Sequence, residues 1–238
     1  MDIRSIQMGF CTSYLVKDRG ALLVDAGQQG YGDAFRRGLT LAGLTPRDLT
    51  LVFLTHGHWD HIGFLSELRT LSAAPVAINH REQAWVVQGL KPLPPPISLW
   101  GRLLEWFIRR FIMPSQTFGG AAVEIALSDD PFPLDAYGVA GTLYSTPGHS
   151  SGSMSLVLAT GDAFVGDLAV NGPPQRLGAD KSVFAEEPGR IPQSWRVVLD
   201  AGAKVVHPAH GRPFAASVLE KLLRQKSTKW GKTGAASS

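Results

Sequence analysis

Apolar residues in this chain fall into short runs separated by glycine, proline and aspartate. Such runs predict strands near 3–8, 12–17, 21–25, 49–55 and 75–79, and again near 123–127, 139–145, 153–159, 162–166 and 203–206. Helical spacing covers 31–42, 62–72 and 81–89 in the first half, then 192–201 and 215–225 in the second. Phe64, Leu65, Leu68 and Leu71 form one such stripe. The chain therefore reads as two similar halves of strands and helices. Periodicity alone establishes only mixed α and β structure. No apolar stretch reaches the roughly twenty residues that cross a bilayer. Residues 227–238, polar and rich in Ser, Thr, Lys and Gly, are expected to be a disordered tail.

One segment departs from this rhythm. The prolines after Lys91 make a stiff spacer into residues 97–114. Trp100, Leu103, Leu104, Phe107, Ile108 and Phe111 fall at helical spacing, and Trp106 and Ile112 widen the apolar face. Arg102, Glu105, Arg109 and Arg110 lie elsewhere on the turn. Three roles fit this insertion near 91–114: a helix packed on the core, a pocket wall in which Trp100, Trp106 or Phe107 touches substrate, or a homodimer or membrane-surface contact.

Composition changes the picture little. A 44% apolar and 18% charged chain builds an ordinary globular core. The net charge of +3 is spread along the sequence, so nucleic acid is not an expected partner. Cys11 is the one cysteine, which excludes an internal disulfide and a cysteine metal cluster. Its place in an early apolar strand suggests a buried, inert thiol. The start Met1-Asp2-Ile3-Arg4 has no secretory leader pattern, so a cytoplasmic protein is expected.

The chemistry lies in Thr55-His56-Gly57-His58-Trp59-Asp60-His61, directly after the run Leu49–Leu54. That run reads as a buried strand, and α/β proteins tend to place sites beyond strand ends. Four ligand-type side chains in one short loop cannot all face one ion. Residues 56 and 58 can point together while 60 and 61 point elsewhere, which suggests two adjacent metals. His149 lies in a Thr-Pro-Gly-His turn, Asp167 ends the run Ala163–Gly166, and His210 follows the run at 203–206. Each comes after a strand and beside Gly or Pro, where the chain turns sharply. Ligands spanning 56 to 210 must converge, which favours a single domain over 1–226. An all-nitrogen and oxygen set suits Zn²⁺, with Mn²⁺, Fe²⁺ or Co²⁺ as alternatives. His207 and His80 read as structural or surface residues.

Taken together, Leu22-Leu23-Val24-Asp25-Ala26-Gly27, the H-x-H-x-D-H loop, Thr-Pro-Gly-His149, Gly-Asp167 and His210-Gly resemble the metallo-β-lactamase superfamily in order along nearly the whole chain. The resemblance implies an αββα sandwich, an α+β fold. It implies that His56, His58 and His149 hold one metal and Asp60, His61 and His210 the other, with Asp167 between them. Asp25 would stand behind the ligands and orient a histidine. Asp60 would also handle the proton of the attacking water. Redox diiron members of the family carry a carboxylate in the place of His58, so the resemblance implies a hydrolase acting on a small molecule.

The substrate divides into family readings. Glyoxalase II-like thioesterases share Thr-His-x-His-Trp-Asp-His but add a long helical C-terminal region, whereas this chain ends at residue 238. Lactonases of the family carry a tyrosine three residues after the bridging aspartate, where this chain has Val170. Export-dependent β-lactamases need a leader, and nucleic-acid phosphodiesterases usually add a second domain. An ester, lactone or thioester with an apolar acyl part is the expected substrate. Phosphodiester or β-lactam hydrolysis stands second, ahead of a non-catalytic metal-binding or membrane-associated role.

Overall fold

The computed structural model describes residues 1–90, 92–173 and 178–233, with side chains up to residue 225. Lys91, in the expected spacer, and 234–238, in the expected tail, lie outside the described residues. The apolar runs become strands paired in two six-stranded sheets. The first takes β1 (Asp2–Met8), β2 (Cys11–Lys17), β3 (Ala21–Val24), β4 (Leu51–Phe53), β5 (Val76–Asn79) and β6 (Ile125–Leu127) in sequence order. β1 to β3 pair antiparallel, and β3 to β6 pair parallel. The second sheet takes β7 (Phe132–Pro133), β8 (Gly141–Ser145), β9 (Met154–Leu158), β10 (Asp162–Gly166), β11 (Val205–Pro208) and β12 (Phe214–Ala215), again in sequence order. Its one parallel pair is β10 with β11.

Strand alternation decides which core each side chain joins. Leu22, Val24, Leu51 and Phe53 face the second sheet and pack with Leu143, Met154, Leu156 and Phe164. Their neighbours Leu23, Val52 and Leu54 turn the other way, against α1 (Gly32–Leu41) and α3 (Leu65–Leu71) through Phe35, Leu39, Phe64 and Leu68. On the far side, Val157, Val165 and Val206 meet Ile191, Trp195 and Val198 of α6 (Ile191–Asp200) and Leu219 of α7 (Ser217–Thr233). The layers are helix, sheet, sheet, helix, the αββα sandwich that the motif order implies. The two-residue strands β7 and β12 are too short to show a period in sequence. α7 runs through Thr233, into the segment expected to be a tail; no proline interrupts 217–233, so nothing local stops the helix.

The insertion forms α5 (Leu99–Phe107), which continues as a π-helical turn over Ile108–Ile112. Ser98 caps its start: its hydroxyl accepts from the Gly101 N–H at 3.0 Å. The spacer is tied down too. Pro96 bridges Phe184, and the Ile97 N–H reaches the Val183 carbonyl at 2.9 Å. Leu104 packs with Val183 and Phe184 beneath it.

Candidate metal centre

The seven expected ligands meet at one edge of the sandwich. β4 delivers the extended stretch to His58, and the short helix α2 (Trp59–Ile62) begins immediately after it. That switch from extended to helical backbone sends Asp60 toward His210, while the His61 ring stays beside that of His56, with centroids 3.9 Å apart. His149 sits in the connection between β8 and β9, Asp167 one residue beyond β10, and His210 two beyond β11. The Met154 N–H donates to the Thr55 carbonyl at 2.9 Å and stitches the two sheets together at this edge.

Overlapping groups of side chains result. His56, His58 and His149 bring one ligand atom each within 4.8 Å of one another, as do Asp60, His61 and His210, and as do His56, His61 and Asp167. His58 Nδ1 faces His149 Nε2 at 3.0 Å. Asp167 lies between the first two groups. Its Oδ1 is 3.4 Å from His61 Nε2 and 3.2 Å from His210 Nε2, while Oδ2 is 3.6 Å from His149 Nε2. Asp60 Oδ2 stands 3.3 Å from His210 Nε2.

Burial holds the His56, His58 and His149 imidazoles well below or below the ordinary histidine range, helped at His56 and His58 by neighbouring imidazoles, so all three are neutral near pH 7. Burial works the same way on His61 and His210 but is overridden. Asp25, Asp60 and Asp167 lift His61, and Asp167 with Asp60 lifts His210. Asp60 and Asp167 remain ionised: burial opposes their charge, and the facing histidines more than offset it.

Four of the five histidines, all but His58, are oriented from behind, as suits metal-holding imidazoles. His61 Nδ1 donates to Asp25 Oδ2 at 2.9 Å, His149 Nδ1 to the Phe184 carbonyl at 2.9 Å, and His210 Nδ1 to the Phe10 carbonyl at 2.8 Å. His56 Nδ1 meets the Thr55 hydroxyl at 3.0 Å, and that hydroxyl donates to Asp25. Asp25 thus takes the supporting place expected of it, and it does so with φ of 59°. Such a left-handed backbone costs a non-glycine residue about 1–3 kcal/mol and is retained where surroundings over-determine it. Gly166 is required for closeness: a Cβ there would come within 2.5 Å of the Thr55 hydroxyl. Cys11 is buried, with Sγ 3.7 Å from His61 Nδ1, and burial raises its pKa, so it stays a thiol behind the ligand.

Glu82 is the supporting residue that sequence reading missed. Fully buried, it accepts from the N–H of Gly57, between His56 and His58, and from the Ser150 hydroxyl and Gly152 N–H just past His149. Burial pushes its carboxyl up to about 6 against these donors. A lone glutamate at a strand-to-helix turn carries no motif, so only the fold reveals it. His207 pairs with Asp162 at 2.8 Å and stacks on Phe164, and exposed His80 donates to the Leu127 carbonyl, the structural and surface roles read for them.

Above the ligands lies a cavity of about 280 Å³. Its floor holds His58, Asp60, His149, Asp167 and His210; Leu104, Phe107, Ile108 and Ile112 of the insertion wall it, with Phe10, Leu93 and Phe184. Phe107 is where a pocket residue was expected. Trp100 and Trp106 are not among the lining residues and are 47% and 58% exposed. A helix that turns Leu104 and Ile108 inward carries Trp106 to the opposite face, whereas Trp100 shares Leu104's side one turn earlier, before the stretch that walls the cavity.

The donor set fits metal. The Nε2 atoms of His56 and His61 and Asp167 Oδ1 are buried without a hydrogen-bond partner, and a buried lone pair left unmatched costs about 1–3 kcal/mol. Facing neutral imidazole nitrogens at 3.0 Å need a proton or a cation between them.

A family model of the metallo-β-lactamase superfamily matches residues 6–210. YqgX of Bacillus subtilis, named a probable metallo-hydrolase, is 31% identical over 160 residues, 67% of this chain and 65% of its own length. The rat metallo-β-lactamase domain-containing protein 1 is 29% identical over 198 residues, 82% of this chain and 63% of its own. The chain thus spans just under two thirds of these relatives. The crystal structure of the BLEG-1 B3 metallo-β-lactamase superimposes with a TM-score of 0.66 at 20% identity, covering 91% of this chain and 95% of that one, a likeness of fold. A match that runs through every ligand loop, on a sandwich of this topology, places the chain in the metallo-β-lactamase superfamily.

Proposed function

We propose that this protein is a dinuclear zinc hydrolase that cleaves an ester, lactone or thioester with an apolar acyl part. The observation that carries the reading is Asp167 between two ligand trios, one oxygen toward His61 and His210 and the other toward His149. When bound, divalent ions would supply a water of pKa about 7 and Lewis-acid polarisation of a carbonyl. The chain's own residues do the rest. His56, His58 and His149 hold one ion and Asp60, His61 and His210 the other. Asp60, at the cavity floor, accepts the proton of the attacking water and passes it to the leaving group. Leu104, Phe107, Ile108 and Ile112 bind an acyl chain and exclude water from it. The apolar wall of Leu104, Phe107, Ile108 and Ile112 favours a substrate with an acyl chain over a compact phosphodiester. Val170, in the place of the lactonases' tyrosine, is fully buried and offers no hydroxyl to a carbonyl.

The test is turnover on a panel of long- and short-acyl esters, thioesters, lactones, a β-lactam and a bis-aryl phosphate, before and after chelation. Ester or thioester hydrolysis that chelation removes and Zn²⁺ restores is expected. Turnover confined to the phosphate or the β-lactam would replace the substrate class. Full activity in metal-free protein would overturn the mechanism.

A further inference from the structure

The outer side of α5 is as apolar as its inner side. Leu104 and Ile108 turn inward to the cavity, yet Leu99, Leu103, Trp106 and Phe111 are 82%, 54%, 58% and 54% exposed. Of the thirteen exposed large apolar side chains among the described residues, six lie between 99 and 111. The rest are scattered from Met1 to Val205, so this is the one place where they concentrate. A helix that is apolar all round is normally buried on every side, and contiguous exposed apolar surface marks a contact. The helix starts at a capped Ser98 and is pinned through Pro96 and Ile97 to 183–184, so the exposed face is held in place.

Charge decides what covers it. Arg102, Arg109 and Arg110 flank or enter the exposed face, all exposed themselves, against the single acid Glu105, which is engaged by Arg109 at 2.9 Å. Arg110 lies over the Phe111 ring at 5.2 Å. A second copy of the chain meeting this face across a two-fold axis would set arginines against arginines. A surface that is apolar below and anionic above complements both features. Tryptophan and phenylalanine sit at the depth of lipid headgroups, and exposed arginines meet lipid phosphate. Phe107 is both 47% exposed on this side and part of the cavity wall, so the face runs without a break into the pocket over the ligands.

We propose that the outer face of α5 and its π-helical continuation docks on an anionic bilayer surface, with the cavity mouth turned to the lipid. Docking is peripheral: no helix among the described residues is long and apolar enough to cross a membrane. It stands apart from the substrate reading, because it requires binding and not turnover.

The experiment is flotation of the full-length, zinc-loaded chain with phosphatidylcholine vesicles, with and without phosphatidylglycerol, beside sizing of the free protein by light scattering. Two double variants accompany it, Leu99→Glu with Leu103→Glu, and Arg102→Glu with Arg110→Glu. The wild type should float with anionic vesicles and shift its tryptophan emission to the blue, and should bind neutral vesicles less. The leucine variant should lose most binding on both, and the arginine variant should lose the preference for anionic lipid. Far-ultraviolet circular dichroism and metal content should match the wild type, since all four side chains are exposed and remote from the ligands. No flotation overturns the proposal, as does flotation that survives both double variants. A dimer that Leu99→Glu with Leu103→Glu dissolves, without vesicle binding by the wild type, would assign the face to a second copy instead.

Discussion

Glu82 lies behind the candidate ligands and ties their loops together. Three donors converge on its carboxylate, one from the His56–His58 loop and two from the loop after His149. Glu82→Gln offers one carbonyl oxygen in place of two acceptors and sets an N–H₂ against a backbone N–H. A loss of about 1–3 kcal/mol is expected, the cost of a buried group left unmatched. The melting temperature of the metal-free protein should fall, and zinc should dissociate faster because the two loops are no longer clamped together. Unchanged melting and zinc release would deny Glu82 its positioning role. Four of the seven candidate ligands were readable because H-x-H-x-D-H concentrates them in one loop, and the other three because each follows an apolar run beside Gly or Pro; Glu82 was not, because its partners are two backbone N–H groups and one serine that no residue pattern announces. Protonation gives a second prediction at this scale. In the metal-free chain His61 and His210 are lifted above the ordinary histidine range and carry protons at pH 7, whereas His56, His58 and His149 do not. Loading metal must expel those raised protons, so zinc uptake near pH 7 releases protons, and apparent affinity rises as pH climbs toward the raised values. Calorimetry of zinc binding in buffers of different ionisation enthalpy reads the released protons directly; heats independent of buffer would contradict this charge assignment.

At the scale of elements, α5 is the part whose helical spacing was plain and whose orientation was not. Apolar residues occupy more than one of its faces, so spacing could not say whether Trp106 or Leu104 and Ile108 would meet the cavity. The anchoring of Pro96 and Ile97 to 183–184 settles it, and that contact lies some ninety positions away in the sequence. Phe107 is the one expected pocket residue that the fold brings to the cavity. Phe107→Ala should cost about 1–3 kcal/mol in kcat/KM on a long-chain acyl substrate, the usual worth of an apolar pocket contact, and almost nothing on an acetyl ester. A chain-length series decides it. Equal losses for short and long chains would mean that Phe107 supports the fold and does not select the substrate.

Across the whole molecule, the strand runs and the helical stripes carry most of the architecture, because each strand's alternation directs it to one core or the other. What they do not carry is pairing. Nothing in the periodicity says that β10 lies parallel beside β11, or that loops from two separate sheets meet at one edge. The ordered motifs supplied that expectation, and the hydrogen bond from Met154 to Thr55 across the sheets gives its physical form. The function proposed for that edge is to hold two metal ions on either side of Asp167, and metal stoichiometry tests that proposal most directly. Elemental analysis of protein saturated with zinc and then freed of excess ion should give two ions per chain, and Asp167→Ala should lower the retention of both. A single ion per saturated chain, or two ions held as tightly without Asp167, would contradict the paired centre.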